Sequence, residues 1–263
     1  MMIPELRKEL ILKTLNEADV VYTHKIMKQC DVSELTIRRD LIELESQGLL
    51  VRTRKGAMKS KVTNMMSSYD LKINRHRQQK EAICRLAANY IHEGDIIFID
   101  CGTTLSLLSK YISKINGLTV ISTSIPVISE LIKHPNIRLS LIGGEIDVER
   151  QATYGSVAEN DVGYFHANKA FIGVDGISLK KGLSTNEEKE GATTQKMIEN
   201  SDEVFLLCDS SKIEKNSYMK FASVAEIHHL ITDRQITPEQ LKMYQDAGVD
   251  VIFEPQQNEL TNP

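Results

Sequence analysis

Five short segments carry side chains suited to holding a small polar ligand, and each follows an apolar run. After I-I-F-I (96–99) come Asp100, Cys101, Gly102, Thr103 and Thr104. After L-T-V-I come Ser122, Thr123 and Ser124, and after L-S-L-I come Gly143 and Gly144. After F-I-G-V come Asp175 and Gly176, with Gly182-Leu183-Ser184-Thr185 beyond. After F-L-L-C come Asp209, Ser210, Ser211 and Lys212. This chemistry fits a phosphorylated polyol. Gly102 lets backbone N–H groups approach an anion, and Thr103 and Thr104 add hydroxyl donors where a helix opens. Asp100 and Asp175 can accept hydrogen bonds from sugar hydroxyls. Lys212 or Lys169 can pair with phosphate or a ring oxygen. One D-x-G-T-T alone is commonly just a capped turn, and one D-S-S-K a surface loop. Five such ends on one sheet form a constellation.

A second cluster offers different chemistry. Ser33 to Gly48 reads S-E-L-T-I-R-R-D-L-I-E-L-E-S-Q-G. Ser33 suits an N-cap, Glu34 suits a first helical turn, and Gly48 suits the stop. Ile37, Leu41 and Leu44 fall at i, i+4 and i+7, one buried stripe. At about 100° per residue, Thr36 and Arg39 point away from it and Arg38 sits at its edge. That is the layout of a recognition helix, which reads bases from its N-terminal half while cations hold phosphates. Its candidate DNA contacts are Ser33, Glu34, Leu35, Thr36, Arg38 and Arg39. An amphipathic helix with solvated arginines has the same pattern, so the neighbours decide. Within 50–61, five basic residues meet no acid, and Arg52, Arg54 and Lys55 are the candidate phosphate contacts there.

The elements that must position these residues fall into two groups. Over 1–58, a helix from Pro4 to Asn16, a short run Val20–Tyr22, a helix His24–Cys30 capped by Thr23, the Ser33 helix and a hairpin give a winged helix-turn-helix. The first helix should bury Leu6, Leu10, Ile11, Leu12 and Leu15. Residues 59–75 read as a connector, with Met65-Met66 as an apolar patch. Over 76–255, strands at 96–99, 118–121, 137–142, 169–174, 204–208, 229–231 and 249–253 alternate with helical patterns. That order implies a mostly parallel α/β sheet, with ligands beyond the strands' carboxyl ends. Residues 256–263 read as a frayed tail.

Charge divides the same way. Residues 1–60 carry eleven Lys/Arg against nine Asp/Glu, and the remaining residues twenty-one against twenty-seven. A basic end on an acidic chain suits a nucleic-acid contact confined to that end. The four cysteines form no C-x-x-C, and no pair of the seven histidines has ligand spacing with a third partner. No metal and no cofactor are expected. No apolar run is long enough to span a membrane, and the N-terminus lacks a signal peptide's apolar core. The expected location is the cytoplasm.

The run D-V-S-E-L-T-I-R-R-D-L-I-E-L-E-S-Q-G-L-L-V-R (31–52) resembles the signature of DeoR-type transcriptional regulators, V-S-x-x-T-I-R-R-D-L-x-x-L-E-x-x-G. The wing departs from it: the family's H-G-G-A is Arg54-Lys55-Gly56-Ala57 here. K-A-F-I-G-V-D-G-I, G-L-S-T, C-D-S-S-K and D-x-G-T-T…G-G…Gly155 are similar to that family's sensor half, so the resemblance spans residues 4 to about 235. It implies a ribose-5-phosphate isomerase-like sensor fold and a phosphorylated sugar or sugar alcohol as effector. Three differences stand out. The family's T-N-S is Ser122-Thr123-Ser124. Its E-A-x-x-K matches Glu190 but has Gly191 for Ala and Thr194 for Lys. The acid before L-I-T-D is His229.

The expected function is sequence-specific regulation of a carbohydrate-utilisation operon, with repression relieved by the effector. A homo-oligomer, dimer or tetramer, would set two recognition helices on neighbouring half-sites. The alternative is a sugar-phosphate isomerase with an added head, using Asp100, Asp175 or Glu190 as base. A third reading is a structural nucleic-acid binder whose body only oligomerises.

Overall fold

Ser33 caps the helix that follows it, its Oγ accepting from Thr36 N at 3.3 Å, and Gly48 ends the chain's turn at φ +74°. Between them α3 (Glu34–Ser46) buries Ile37, Leu41 and Leu44. They meet Ile11 and Leu15 of α1 (Pro4–Ala18) and Ile26 and Cys30 of α2 (Thr23–Cys30) in one core. Thr23 is the first residue of α2 rather than its cap: Tyr22 holds the extended N-cap position and offers no side-chain bond. Leu6 stays 52 % exposed, one turn before that core begins. Strands β1 (Val20–Tyr22), β2 (Leu50–Thr53) and β3 (Gly56–Lys59) form a sheet ordered β1-β3-β2. Thr53 pairs with Gly56, so Arg54-Lys55 is a two-residue hairpin turn. Gly56 is there for want of space: a Cβ would lie 1.9 Å from Val21 O. That close approach explains why Gly56 persists beside a changed Arg54-Lys55.

This computed structural model describes residues 3–59, 69 and 72–254. The chain forms two compact units, Met1–Lys72 and Ile73–Pro263. Most of the expected connector, including Met65-Met66, and the expected tail lie outside the described residues.

The second unit is built on a seven-stranded sheet ordered β15-β14-β12-β9-β4-β5-β6. Its members are β4 (Ile96–Ile99), β5 (Thr119–Ser122), β6 (Arg138–Leu141), β9 (Ala167–Ile172), β12 (Ser201–Leu207), β14 (His229–Ile231) and β15 (Asp250–Ile252). Every pairing is parallel. The apolar runs are continuous because both faces are covered. Ile97, Ile99, Phe171 and Phe205 pack on one side with Ile83 and Leu108. Phe98, Ala170, Ile172 and Leu206 pack on the other with Met197 and Val162. The chain lays down β4, β5 and β6 outward, then returns to place β9 on the other flank of β4. The strand order therefore reverses between β4 and β9, and the crevice outside their carboxyl ends is where such sheets hold ligands.

Two small additions lie outside the sequence expectation. Residues 143–168, unassigned by pattern, contain a hairpin of β7 (Glu145–Asp147) and β8 (Ala152–Tyr154) and a helix Ser156–Val162. Strands β10 (Gly176–Ser178), β11 (Gly182–Thr185) and β13 (Met219–Ala222) form a second sheet. Each is short, and three- or four-residue strands carry too few alternations to register as a period.

Candidate functional site

On the head, α3 turns Leu35, Arg38 and Arg39 outward, with Leu35 61 % exposed. Thr36 is half-buried, and its hydroxyl lies 2.9 Å from Ser33 Oγ, so both side chains serve the cap. Arg38 pairs with Glu34 one turn back, Nη2 to Oε1 at 2.7 Å. Such an exposed i,i+4 pair is worth only about 0.3–0.5 kcal/mol and yields readily to a phosphate. Among the described residues Arg39 has no ion-pair partner and keeps its whole guanidinium edge. Arg52 is committed within the head. Its backbone N donates to Glu45 Oε1 at 2.9 Å and its guanidinium pairs with Oε2, which holds Glu45 below the usual carboxylate range. Arg54 and Lys55 are exposed at the wing's turn, with Lys55 O accepting from Thr23 N.

Sequence reasoning missed the pair that orients this helix. Asp40, the residue after the two arginines, is 5 % exposed and pairs with buried Arg7 of α1 through both oxygens, Nη2 to Oδ1 being 2.9 Å. The charged residue on the buried stripe was the available signal, since an acid there needs a partner.

In the second unit, five parallel strands deliver their following segments to one edge of the sheet, and two of these flank the switch point. Gly102 N-caps the helix Thr103–Ile112 at φ +119°, a conformation that suits glycine. Thr103 Oγ1 accepts from Lys80 Nζ at 2.9 Å, and Thr104 is buried beside it. Lys80 comes from the helix Arg77–Ala88, on the same stripe as Cys84 and Ala87, and is 5 % exposed. Burial and then repulsion from Lys212 push its ammonium down to about 8. Lys212 Nζ bonds to Val174 O beyond β9, and Asp209 caps the turn that carries Lys212 by accepting from Ser211 N. Two lysines and a helix N-terminus thus share one corner, an anion's environment. The signal in the sequence is a lysine at i relative to an apolar i+4 and i+7, Cys84 and Ala87.

The rest of the site is acidic. Asp100 is 1 % exposed, and its oxygens accept from Cys101 N at 2.7 Å, Gly173 N at 3.3 Å and Thr194 Oγ1 at 3.1 Å. Burial, then the nearby Glu190 charge, pushes Asp100 up to about 7. Glu190 accepts from Thr185 Oγ1 at 2.8 Å and pairs with Arg150 at 3.0 Å. Burial lifts Glu190 above the usual range in spite of that guanidinium. Arg150 also reaches Asp175 at 3.2 Å. Burial would raise Asp175, but Arg150, Asn186 and Lys212 together hold it below the usual range. Beneath this network Cys101 Sγ lies 2.6 Å from Tyr154 OH, and burial raises both groups. Arg150 and Tyr154 escaped the sequence reading because they sit on a short hairpin and its turn, whereas Thr185 lies in the G-L-S-T segment that the sequence singled out.

Several expected residues are occupied elsewhere. Lys169 is a correction. It lies three residues before the end of β9, about 10 Å short of the carboxyl edge at ~3.3 Å per residue, and its Nζ bonds Asp95 Oδ2 at 2.7 Å and Tyr90 O at 2.9 Å. Ser122 Oγ bonds Ile99 O at 2.6 Å, and Ser124 caps the helix Ile125–Leu131. Thr123 Oγ1 is buried with no hydrogen-bond partner among the described residues. Gly144 and Gly176 are close-approach positions, where a Cβ would meet Tyr154 O at 2.5 Å and Lys215 O at 2.7 Å; Gly143 has open space. Gly191 lets β13 close on its helix, since a Cβ would stand 3.0 Å from both Met219 and Phe221 side-chain atoms.

Comparison with known proteins follows the same division. The DeoR-like helix-turn-helix domain matches residues 7–62, and the DeoR C terminal sensor domain matches residues 75–234. The HTH-type transcriptional repressor GlcR of Bacillus subtilis is 36 % identical over 89 % of this chain and 90 % of its own. The lactose phosphotransferase system repressor of Staphylococcus epidermidis is 32 % identical over 94 % of this chain and 98 % of its own. Ribose 5-phosphate isomerase A from Methanocaldococcus jannaschii aligns over 52 % of this chain and 55 % of its own, at 18 % identity and a TM-score of 0.39, too low to carry an argument. No helix among the described residues is long and apolar enough to cross a membrane. With both domains matched in order and relatives aligned along most of its length, the chain belongs to the DeoR family of transcriptional regulators.

Proposed function

We propose that this chain is a cytoplasmic repressor of a carbohydrate-utilisation operon, released from its operator when a phosphorylated sugar or sugar alcohol fills the switch-point crevice. The observation that carries this reading is the polarity of that crevice. Lys80, Lys212 and the Gly102–Thr103 helix start offer cations and N–H groups for a phosphate. Asp175, Glu190 and Arg150 offer acceptors and a guanidinium for hydroxyls, while Asp100 is buried beneath them with its oxygens already bonded. A ligand bridging both ends would favour one arrangement of the chain and shift operator affinity through it. The head would act in pairs, in a dimer or tetramer, with Arg39, Arg54 and Lys55 on the duplex. Repressors among the relatives support the sign of the response.

Lys80→Met should weaken binding of phosphorylated sugars roughly 10–100-fold, the loss of one charge-assisted contact to phosphate. Thermal-shift titration against a panel of hexose and pentose phosphates reads this. The wild-type affinity should fall as pH rises through about 8, because the anion selects the protonated amine and that form is lost there. A panel that shifts neither protein would remove the effector reading. Separately, Arg39→Ala should weaken operator binding about tenfold and leave effector binding unchanged. Equal operator affinity by gel shift would strike Arg39 from the contacts.

The chain is read as a regulator without turnover. Asp175 and Glu190 are both engaged by Arg150, and Asp100 is sealed beneath them, so none of these three carboxylates stands free to take a carbon-bound proton. Isomerisation of ribose 5-phosphate above background would revive the enzyme alternative.

A further inference from the structure

Taking α3 at about 100° per residue from Leu35 as zero, Arg39 lies near +40°, Arg38 near −60° and Ile42 near −20°. The centre of the arginine-bearing face is therefore apolar. Leu35 is 61 % exposed and Ile42 50 % exposed, seven residues apart on one line. Ile37, Leu41 and Leu44 already complete the opposite, core-facing stripe. A lone exposed leucine would be ordinary surface. Two exposed aliphatic side chains on the line between cations, Leu35 and Ile42, are a surface shaped for an apolar group within a charged groove. The major groove presents one such group, the thymine C5-methyl. Leu35 stands at the second position of the helix, in the N-terminal turn that reaches base edges. The polar neighbours are already committed, Ser33 to Thr36 and Glu34 to Arg38, which leaves Leu35 as the side chain of that turn with its surface unspent.

We propose that Leu35 sets operator sequence preference by packing against a thymine methyl group in each half-site, with Arg39 anchoring the helix beside it. The inference rests on the reading of the head as an operator binder. Ile42 extends the same line by about 10 Å at 1.5 Å per residue, deeper along the helix and away from the end that reads bases.

The test uses the full-length protein and a random-sequence duplex library. Wild type should enrich sites with an invariant thymine in each half-site, and Leu35→Ala should lose that preference while other positions persist. Deoxyuridine at that thymine removes only the methyl group and leaves the protein untouched. It should weaken wild-type binding about fourfold per half-site, as expected for one methyl taken out of contact. The same replacement should leave Leu35→Ala affinity unchanged. Ile42→Ala should keep the thymine preference. Wild-type binding indifferent to uracil at every thymine of an enriched site would overturn the inference while sparing the operator reading. Failure of wild type to enrich any sequence would overturn both.

Discussion

Arg7→Met should unfold the DNA-binding head and abolish operator binding while the sensor still takes up its effector. The substitution leaves Asp40 buried in the helix-turn-helix core without its cation. Removing one partner of a buried ion pair costs about 3–5 kcal/mol, because the survivor must be desolvated alone. A head of this size has a core worth about that much in total. The expected result is a lost low-temperature transition in calorimetry and rapid proteolysis confined to the first unit. Arg7→Met combined with Asp40→Leu should restore much of the stability, since no charge is then stranded. A single variant that melts like wild type would show that Asp40 finds water instead, and the pair would lose its place in the account of the head.

Thr194→Lys should flatten the pH dependence of the sensor's stability. In the folded chain Asp100 holds its proton up to about 7, against an ordinary value near 3.8. Between those values the folded state binds the proton more tightly than the unfolded one. The contribution of Asp100 to stability is thus greatest in acid and falls as pH rises across that window, by up to roughly 4 kcal/mol at pH 8. The hydroxyl of Thr194 donates to Asp100 but brings no charge. An ammonium at that position would stabilise the carboxylate and bring its pKa back toward the ordinary range. Urea midpoints at pH 5 and pH 8 measure the effect: the wild type should lose stability between them and the variant should not. Equal slopes in the two proteins would mean that Asp100 is not the group responsible.

The head was readable in advance because its signals are local. Ser33, Gly48 and the Ile37-Leu41-Leu44 stripe act within one helix, and the structure reproduces each of them. The long parallel strands were readable because apolar runs such as I-I-F-I mark themselves. What failed to register was relational. Asp40 makes sense only once Arg7, thirty-three residues earlier, is placed against it. Lys80 belongs with Thr103 and Lys212, and Arg150 with Asp175 and Glu190, through contacts that no spacing encodes. Lys169 was misplaced for a related reason. A strand's position in sequence does not reveal which end of a charged residue's reach is already taken, and Asp95 takes it. The departures from the family pattern gained physical content only in three dimensions: Gly191 admits Met219 and Phe221, and Thr194 leaves Asp100 without a cation.

The reversal of strand order has a consequence for synthesis. One wall of the crevice is made by β4 and its following helix, the other by β9, β12 and the turn bearing Lys212, and that wall is complete only when Lys212, more than a hundred residues beyond β4, is in place. A nascent or prematurely terminated chain can complete its head long before both walls exist. A fragment that ends between the head and Lys212, and still pairs, would carry an intact operator reader that no metabolite could dislodge, so truncations there should act as permanent silencers rather than as simple losses.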